Sequence, residues 1–286
     1  MDFDLSLPAP AKLNLFLHIV GQRPNGYHEL QTVFQLLDAG DNMHFKYSSA
    51  STISLHPDFA DIPLKDNLVY KAAKLLQQHS QCSLGAEIVL EKNLPMGGGL
   101  GGGSSNAATT LLALNKLWDL KLSLNELAEI GITLGADVPV FVKGFTAWAE
   151  GIGEQLTPIK IPEYWYLILT PKSHVSTAQI FSNERLTRDT PKLKIAPALE
   201  GVVLDGFRND CEALVSDLYP DIKEAISWLN KFGSGRLTGT GACCFCRFDS
   251  ETKARQVLNE APSKFKGFLA KGVNLSPALQ RLNEAD

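Results

Sequence analysis

The feature that most constrains this chain is a glycine cluster at residues 97–103, where six of the seven positions are glycine. A strand-like segment, 86–90, leads into the cluster. After it, apolar residues recur at helical spacing at Ala107, Leu111, Leu114 and Trp118. We therefore predict a helix that begins at Ser104 or Ser105. A glycine loop before a helix gathers backbone N–H groups at the positive end of the helix dipole, which favours binding of a di- or triphosphate.

Other interpretations of the glycine cluster fit the sequence less well. A flexible linker would not lie between a strand and a well-patterned helix. Gly97, Gly99 and Gly102 satisfy the dinucleotide-binding pattern G-x-G-x-x-G, which glycine density alone would produce. The acidic residue about twenty positions further on, Asp119, falls within a helical pattern rather than at a strand end, which weakens that match. No Gly-Lys-Ser or Gly-Lys-Thr follows, so a Walker A loop is excluded.

Composition limits the class of protein. The chain has 286 residues, of which 44% are hydrophobic and 20% charged, as is typical of a globular enzyme or binding protein. Disordered, collagen-like and coiled-coil proteins are thereby excluded. The net charge of −4 argues against a nucleic-acid partner held by a general positive field. It does not forbid an anionic ligand, because backbone N–H groups can bind phosphate without positive side chains.

The chain also carries signals about its compartment. Its acidic start resembles neither a secretory signal nor an Arg-rich transit peptide. No apolar run approaches the roughly 18–20 residues that span a membrane, so we expect no membrane partner. The five cysteines are scattered and odd in number, which favours a reducing compartment over a disulfide framework. We expect a cytoplasmic protein.

The first half of the chain is predicted to mix strands and helices. Residues 12–20 alternate like a strand, with Leu13, Leu15 and Leu17 pointing inward, and a turn follows at 21–26. A helix is predicted after Asp66, which we interpret as its cap. Ser123 and Glu126 form a capping box for a further helix that runs to Gly135.

The second half shows a similar mixture. Two prolines near the Trp165 strand indicate a linker, so we predict domains at 1–157 and 158–286. The predicted elements are a strand at 165–170, a helix at 208–218, a helix at 221–231 that Pro220 opens, a strand at 243–248, a helix from about Ser250 and a strand at 265–271. Both halves therefore indicate the α+β class.

Three separated motifs make the chain recognisable. Residues 94–106, LPMGGGLGGGSSN, resemble the second motif of the GHMP kinases, a family that includes galactokinase, homoserine kinase and mevalonate kinase. Residues 10–15, PAKLNL, resemble the first motif, and residues 238–243, TGTGAC, resemble the third. The resemblance runs from about residue 8 to 278. It implies a two-domain fold with the active site in the cleft between the domains.

Four further features resemble one branch of this family more narrowly. They are Gly26-Tyr27-His28, the triple-glycine form of the second motif, residues 135–141 (GADVPVF) and residues 271–277 (KGVNLSP). That branch phosphorylates the C2 hydroxyl of a cytidine diphosphate-linked methylerythritol in the non-mevalonate route to isoprenoid precursors. The resemblance implies this small molecule and ATP as partners, with Mg²⁺ bound to the nucleotide. The implied ATP-binding residues are Pro95, Met96, Gly97, Gly98, Gly99, Leu100, Gly101, Gly102, Gly103, Ser104 and Ser105.

The resemblance also assigns catalytic roles. Phosphoryl transfer needs positioning, charge neutralisation and removal of the proton from the acceptor hydroxyl. By similarity, Asp137 is the base, while Lys12 polarises the hydroxyl and holds Asp137 ionised. From the residues alone, Asp137 is equally well a turn or capping residue before Val138-Pro139. Lys12 equally well ends a strand in solvent.

A substrate pocket is implied in the same way. A cytosine ring needs an aromatic face for stacking and a hydrogen-bonding partner for its edge. By similarity, Tyr27 and His28 serve the cytosine, Phe181 completes the aromatic sandwich, and Asn14 and Thr177 make polar contacts. Without the family, Tyr27 and His28 are more often an ordinary flank of a turn.

Two issues stay open at this point. Cys243 and Cys246 form a lone C-x-x-C, which cannot close a tetrahedral zinc site, so we expect a packed strand and predict no protein-bound metal there. Two alternative functions also remain. One is a sister kinase with another small alcohol as substrate, and the other is a non-catalytic nucleotide-binding protein on the same fold.

Overall fold

The computed structural model describes residues 2–59, 62–194 and 207–284. Its strands are β1 (Leu5–Gln22), β2 (His28–Ser48), β3 (Ile53–His56), β4 (Gly85–Glu91), β5 (Ala147–Glu150), β6 (Gln155–Pro158), β7 (Trp165–Thr170), β8 (Arg236–Leu237), β9 (Cys244–Phe248) and β10 (Lys266–Val273). Its helices are α1 (Leu68–Ser80), α2 (Gly102–Leu117), α3 (Leu124–Ile132), α4 (Val138–Lys143), α5 (Thr177–Ser182), α6 (Glu212–Leu218), α7 (Pro220–Leu229), α8 (Glu251–Asn259) and α9 (Pro277–Glu284). A short 3-10 turn spans Leu64–Asp66.

The described strands are joined in one sheet whose main path runs β3-β4-β2-β10-β7-β9-β8. Strand β1 pairs antiparallel with β2, and β5 pairs with β2 and β6. Strand β10 connects the two halves, because it pairs with β2 through Gly272 and Val273 and with β7 through 266–271. The α+β class is thereby confirmed. The predicted boundary between 157 and 158 falls at the end of β6 and stays a prediction.

Strand β1 differs from its predicted pattern. The alternation of Leu13, Leu15 and Leu17 with polar neighbours indicated one inward face, yet residues 9–19 are buried without a break. The reason is that β1 lies between the packed halves of the molecule. Ala11 and Leu13 belong to a cluster with β7 and β9, whereas Ala9 packs in the core beneath α1 and α2.

Several helix starts also differ from the sequence prediction. The cap of α1 is Asn67, whose Oδ1 accepts the Val69 N–H at 2.9 Å, rather than Asp66. Helix α2 begins at Gly102, two residues before Ser104, because Gly101 in the left-handed conformation already turns the chain into the helix. The predicted helix over 208–218 begins only at Glu212. The capping box of Ser123 and Glu126 is confirmed.

The second half packs around β7 and β9. Pro220 opens α7 as predicted. Cys243 and Cys246 are buried, and burial raises the pKa of their thiols to about 12 and about 11. The expectation of a packed strand is confirmed by the neighbouring Phe245 and Phe248, each 3% exposed. Among the described residues, no helix is long and apolar enough to span a membrane.

Candidate active site

The three sequence motifs meet at one place through backbone hydrogen bonds. The Lys12 N–H in β1 donates to the Leu100 carbonyl of the glycine loop at 3.0 Å. The third motif lies against both of them, because Thr238 Oγ1 accepts the Asn14 N–H at 3.0 Å and donates to the Gly99 carbonyl at 3.3 Å. The Cys243 N–H donates to the Gly98 carbonyl at 3.1 Å. Segments more than two hundred positions apart are therefore fastened to the same loop.

Glycine is required at the centre of this junction. Gly99 has φ +75°, and a Cβ placed there would lie 2.2 Å from the Thr238 carbonyl oxygen. Gly101 has φ +73°, and its Cβ would lie 2.8 Å from the Phe141 ring. Both positions therefore combine left-handed backbone with a close approach that only glycine permits.

A cavity of about 640 Å³ opens beside this junction, within the range of small-molecule sites. It is lined by every residue that the sequence analysis assigned to catalysis or substrate: Lys12, Asn14, Tyr27, His28, Asp137, Thr177 and Phe181. Thus the structure brings together residues from β1, the 23–28 turn, the start of α4 and α5. We call this space the substrate cavity.

Lys12 and Asp137 form an ion pair at one end of the substrate cavity. Lys12 Nζ lies 3.3 Å from Asp137 Oδ2 and also donates to Asn14 Oδ1. Lys12 is 3% exposed, so it does not end a strand in solvent. Asp137 occupies the N-cap position of α4 but makes no side-chain capping hydrogen bond. Its carboxylate is therefore free of a capping role and faces the ammonium.

The other end of the substrate cavity is aromatic. A tight turn with Gly26 at φ +87° precedes Tyr27, whose side chain is 58% exposed. His28 is buried, and its ring centroid lies 5.0 Å from that of Phe181 at an interplanar angle of 31°. Burial, and secondarily the charge of Arg188, lower the pKa of His28, so its ring is neutral at pH 7. The aromatic faces of Tyr27 and Phe181 suit a stacked base.

Thr177 provides a polar side to the same cavity. It begins α5, and its Oγ1 lies 2.9 Å from Thr240 Oγ1 of the third motif. Ser176 caps this helix by accepting the Gln179 N–H. The cap and the threonine pair hold α5, and with it Phe181, against the glycine loops.

A second cavity, of about 350 Å³, lies on the other side of the glycine loop. The loop residues from Pro95 to Ser104 line it. Gly99, Gly101 and Ser104 line both cavities, so a group held at these three residues is accessible from either side. We call this space the loop cavity.

Ser105 is the one residue assigned to ATP binding that does not line the loop cavity. It is 0% exposed and lies outside both cavities, and its backbone N–H donates to the Gly101 carbonyl at 2.8 Å. Its position on the inner face of α2 explains the burial, since α2 starts earlier than the sequence predicted.

Among the described residues, no cluster of three or more His, Cys, Asp or Glu side chains could hold a metal ion.

Sequence reasoning missed several residues at the loop cavity. Asn67, Leu68 and Lys92 line it, although they lie outside the three motifs. Asn67 could have been found as the cap of α1, because Asn is a preferred N-cap residue. No local signal marks Lys92, whose ammonium contacts the fully buried carboxylate of Asp41.

Comparison with known proteins identifies the family of this chain. Residues 67–145 match the family description "GHMP kinases N terminal domain", and residues 201–267 match "GHMP kinases C terminal". The 4-diphosphocytidyl-2-C-methyl-D-erythritol kinase of Hahella chejuensis is 54% identical over 98% of this chain and 97% of its own length. The enzyme of the same name from Marinobacter nauticus is 56% identical over 98% of both chains. This chain belongs to the GHMP kinase family.

Solved structures support the assignment of this chain to the GHMP kinase family. A crystal structure of 4-(cytidine 5'-diphospho)-2C-methyl-D-erythritol kinase superimposes with a TM-score of 0.82 at 30% identity, covering 94% of this chain and all of that one. A mevalonate kinase structure superimposes with a TM-score of 0.66 at 16% identity, over 95% of this chain and all of that one. The second likeness concerns the fold alone. The two-domain fold implied by the motifs is confirmed.

Proposed function

We propose that this GHMP kinase transfers the γ-phosphoryl group of ATP to the C2 hydroxyl of 4-diphosphocytidyl-2-C-methyl-D-erythritol, a step in the formation of isoprenoid precursors. The observation that carries the proposal is the arrangement of the substrate cavity. An ion pair of Lys12 and Asp137 lies at its end beside the glycine loop, and Tyr27, His28 and Phe181 line the same cavity. Relatives at more than half identity, which bear this enzyme's name, support it.

Each charged residue has a separate task in the reaction. Asp137 Oδ2 takes the proton of the C2 hydroxyl as its oxygen attacks the γ-phosphorus. The bond from the γ-phosphorus to the bridging oxygen breaks, and ADP leaves with that oxygen. Lys12, 3.3 Å from Asp137, stabilises negative charge on the attacking oxygen and keeps Asp137 oriented. Its burial strengthens both effects, because a low dielectric weakens screening.

The glycine loop holds the phosphates in this proposal. The loop residues and the first turn of α2 line the loop cavity, so their backbone N–H groups would bind the phosphates of ATP there. Gly99, Gly101 and Ser104 line both cavities, which supports transfer across the loop from one ligand to the other. Of the residues assigned to ATP, Pro95–Ser104 line the loop cavity, while Ser105 supports the helix from inside.

Mg²⁺ belongs to the nucleotide in this proposal. The Asp137 carboxylate and the Ser104 hydroxyl line the substrate cavity, a sparse oxygen set that suits an ion held mainly by phosphate oxygens and water. When bound, the ion neutralises phosphate charge. We place the reaction in the cytoplasm, because all five cysteines are free thiols, as is usual in a reducing compartment.

The decisive experiment measures ADP release from Mg-ATP with four acceptors in parallel: 4-diphosphocytidyl-2-C-methyl-D-erythritol, mevalonate, phosphomevalonate and homoserine. We expect turnover with the cytidine compound alone. Turnover with another alcohol would assign a sister kinase and reject the aromatic base pocket. ATP binding without turnover of any acceptor would favour a non-catalytic protein.

A further inference from the structure

Arg188 connects His28 to the segment that carries Phe181, although no motif includes it. Its Nε donates to His28 Nε2 at 3.0 Å. Its two terminal nitrogens donate to backbone carbonyls, at 2.9 Å to Phe181, 2.8 Å to Asn183 and 3.0 Å to Leu186. One side chain thus fixes the imidazole and the chain around the aromatic face of the substrate cavity.

The contact with Arg188 decides the tautomer of His28. An arginine N–H can only donate, so His28 Nε2 is the acceptor and carries no proton. The neutral ring must then carry its proton on Nδ1. No described residue forms a hydrogen bond with Nδ1. The atom is accessible to solvent, because it is not one of the buried side-chain atoms that lack a partner. Because His28 lines the substrate cavity, Nδ1–H is an open donor there.

We propose that Arg188 is a positioning residue that presents His28 as a fixed N–H donor to the edge of the substrate's base. This inference rests on the proposed function. Cytosine offers acceptors at O2 and N3, whereas uracil carries an N–H at N3. Placed opposite N3, a fixed donor therefore favours cytosine and opposes uracil, since two donors facing each other leave both unpaired. Arg188 would thus determine base selectivity without touching the base.

The kinetic test compares Arg188→Met with Arg185→Met. Arg185 lies in the same segment, but it is exposed and pairs with Asp217 at the surface. For Arg188→Met we expect KM for the cytidine substrate to rise about tenfold, as loss of about 1.4 kcal/mol of binding predicts, with kcat and KM for ATP unchanged. Arg185→Met should match the wild type in all three.

A measurement of base selectivity distinguishes a positioning role of Arg188 from a purely structural role. The uridine analogue of the substrate is compared with the cytidine compound in each protein. If Arg188 fixes the donor, the ratio of their kcat/KM values falls about tenfold in Arg188→Met, because only the cytidine compound loses a matched contact. An equal loss for both substrates would overturn the proposal, since a merely structural residue would weaken both alike.

The tautomer is measured separately on the free wild-type protein by long-range ¹H–¹⁵N NMR of the histidine ring. We expect His28 to carry its proton on Nδ1, and a proton on Nε2 would overturn the proposal even if Arg188→Met fails to fold. This readout needs no substrate. Wild-type protein that shows the Nδ1–H tautomer but turns over no cytidine compound would therefore reject the proposed function and, with it, the selectivity role.

Discussion

At the scale of single residues, the site depends on one buried ammonium. Lys12 is 3% exposed, although lysine is rarely buried without a partner. Its Nζ contacts Asn14 Oδ1 and Asp137 Oδ2, and it lies 5.2 Å from the centre of the Phe34 ring. These contacts offset the cost of removing the charge from water. They also leave the Asp137 carboxylate with a fixed orientation at the cavity.

Asp137→Asn tests the base. The amide keeps the shape of the side chain but does not accept the hydroxyl proton, so we expect kcat to fall by about 10²–10⁴-fold with ATP affinity nearly unchanged. Initial-rate kinetics and nucleotide titration measure the two effects. Asp119→Asn is the control, because Asp119 is exposed and pairs with Lys121 at the surface. A near-normal kcat in Asp137→Asn would remove Asp137 from its role.

Tyr27→Ala tests the stacking face. Base–aromatic stacking contributes about 1–3 kcal/mol, so KM for the cytidine substrate should rise by about 5–150-fold without a change in KM for ATP. Tyr47→Ala is a matched control, since Tyr47 is also exposed but lines neither cavity. An unchanged KM in Tyr27→Ala would mean that the cytosine binds elsewhere.

At the scale of elements, the two glycine-rich motifs act as one unit. The loop before α2 is bonded to β1 at Leu100 and to the third motif at Gly98 and Gly99. These contacts hold the loop open toward both cavities. The geometry depends on the absence of side chains where the motifs cross, so it is sensitive to a single added carbon.

Gly99→Ala tests this junction. Its φ of +75° and the 2.2 Å approach to the Thr238 carbonyl oxygen force the third motif away from the loop. We expect at least a tenfold loss of ATP affinity and a lower melting temperature, measured by nucleotide titration and thermal unfolding. Gly21→Ala is the control, because its Cβ would meet only Glu29 Cβ at 4.0 Å and no positive φ is involved. Wild-type ATP affinity in Gly99→Ala would contradict the junction.

At the scale of the whole molecule, the substrate cavity depends on both halves. Strand β10 joins them, and the cavity takes Lys12 and Asp137 from the first half and Phe181 from the second.

Beneath the third motif, Glu212 accepts the Leu237 N–H at 2.7 Å. Burial raises the pKa of Glu212 above its ordinary value. This raised pKa predicts that the global stability of the protein depends on pH. Because the pKa of Glu212 is higher in the folded protein than in the unfolded chain, the folded state binds its proton more tightly, and stability falls as pH rises through this range. Glu212→Gln keeps an acceptor for Leu237 but does not titrate. The free energy of unfolding of Glu212→Gln, relative to wild type, should therefore increase between pH 4 and pH 7 in urea titrations. A difference that is constant with pH would contradict the expectation.

Much of the site chemistry could be predicted from the sequence, because its signals are local. The glycine cluster, the capping box at Ser123 and the proline that opens α7 each act within a few residues, and each lies where it was expected. The resemblance of three motifs then pointed to residues that share one cavity. The roles of those residues in catalysis and binding stay predictions until they are measured.

Strand β2 shows why the rest required tertiary structure. The sequence analysis assigned no element to residues 28–48, because buried polar residues interrupt the period of a strand. Gln31 and Gln35 are buried only because distant backbone carbonyls, those of Leu193 and Val273, accept their amide hydrogens.

The sequence by itself determined the position of the glycine loop before a helix, the α+β class and the kinds of side chain available for catalysis. Only the tertiary structure decided that Lys12 lies 3.3 Å from Asp137 and that Arg188 reaches His28. The physical reason is the distance along the chain over which each interaction acts. Turn, cap and periodicity signals come from neighbours in the chain, whereas an ion pair or a tautomer depends on groups that folding brings together from more than a hundred positions away.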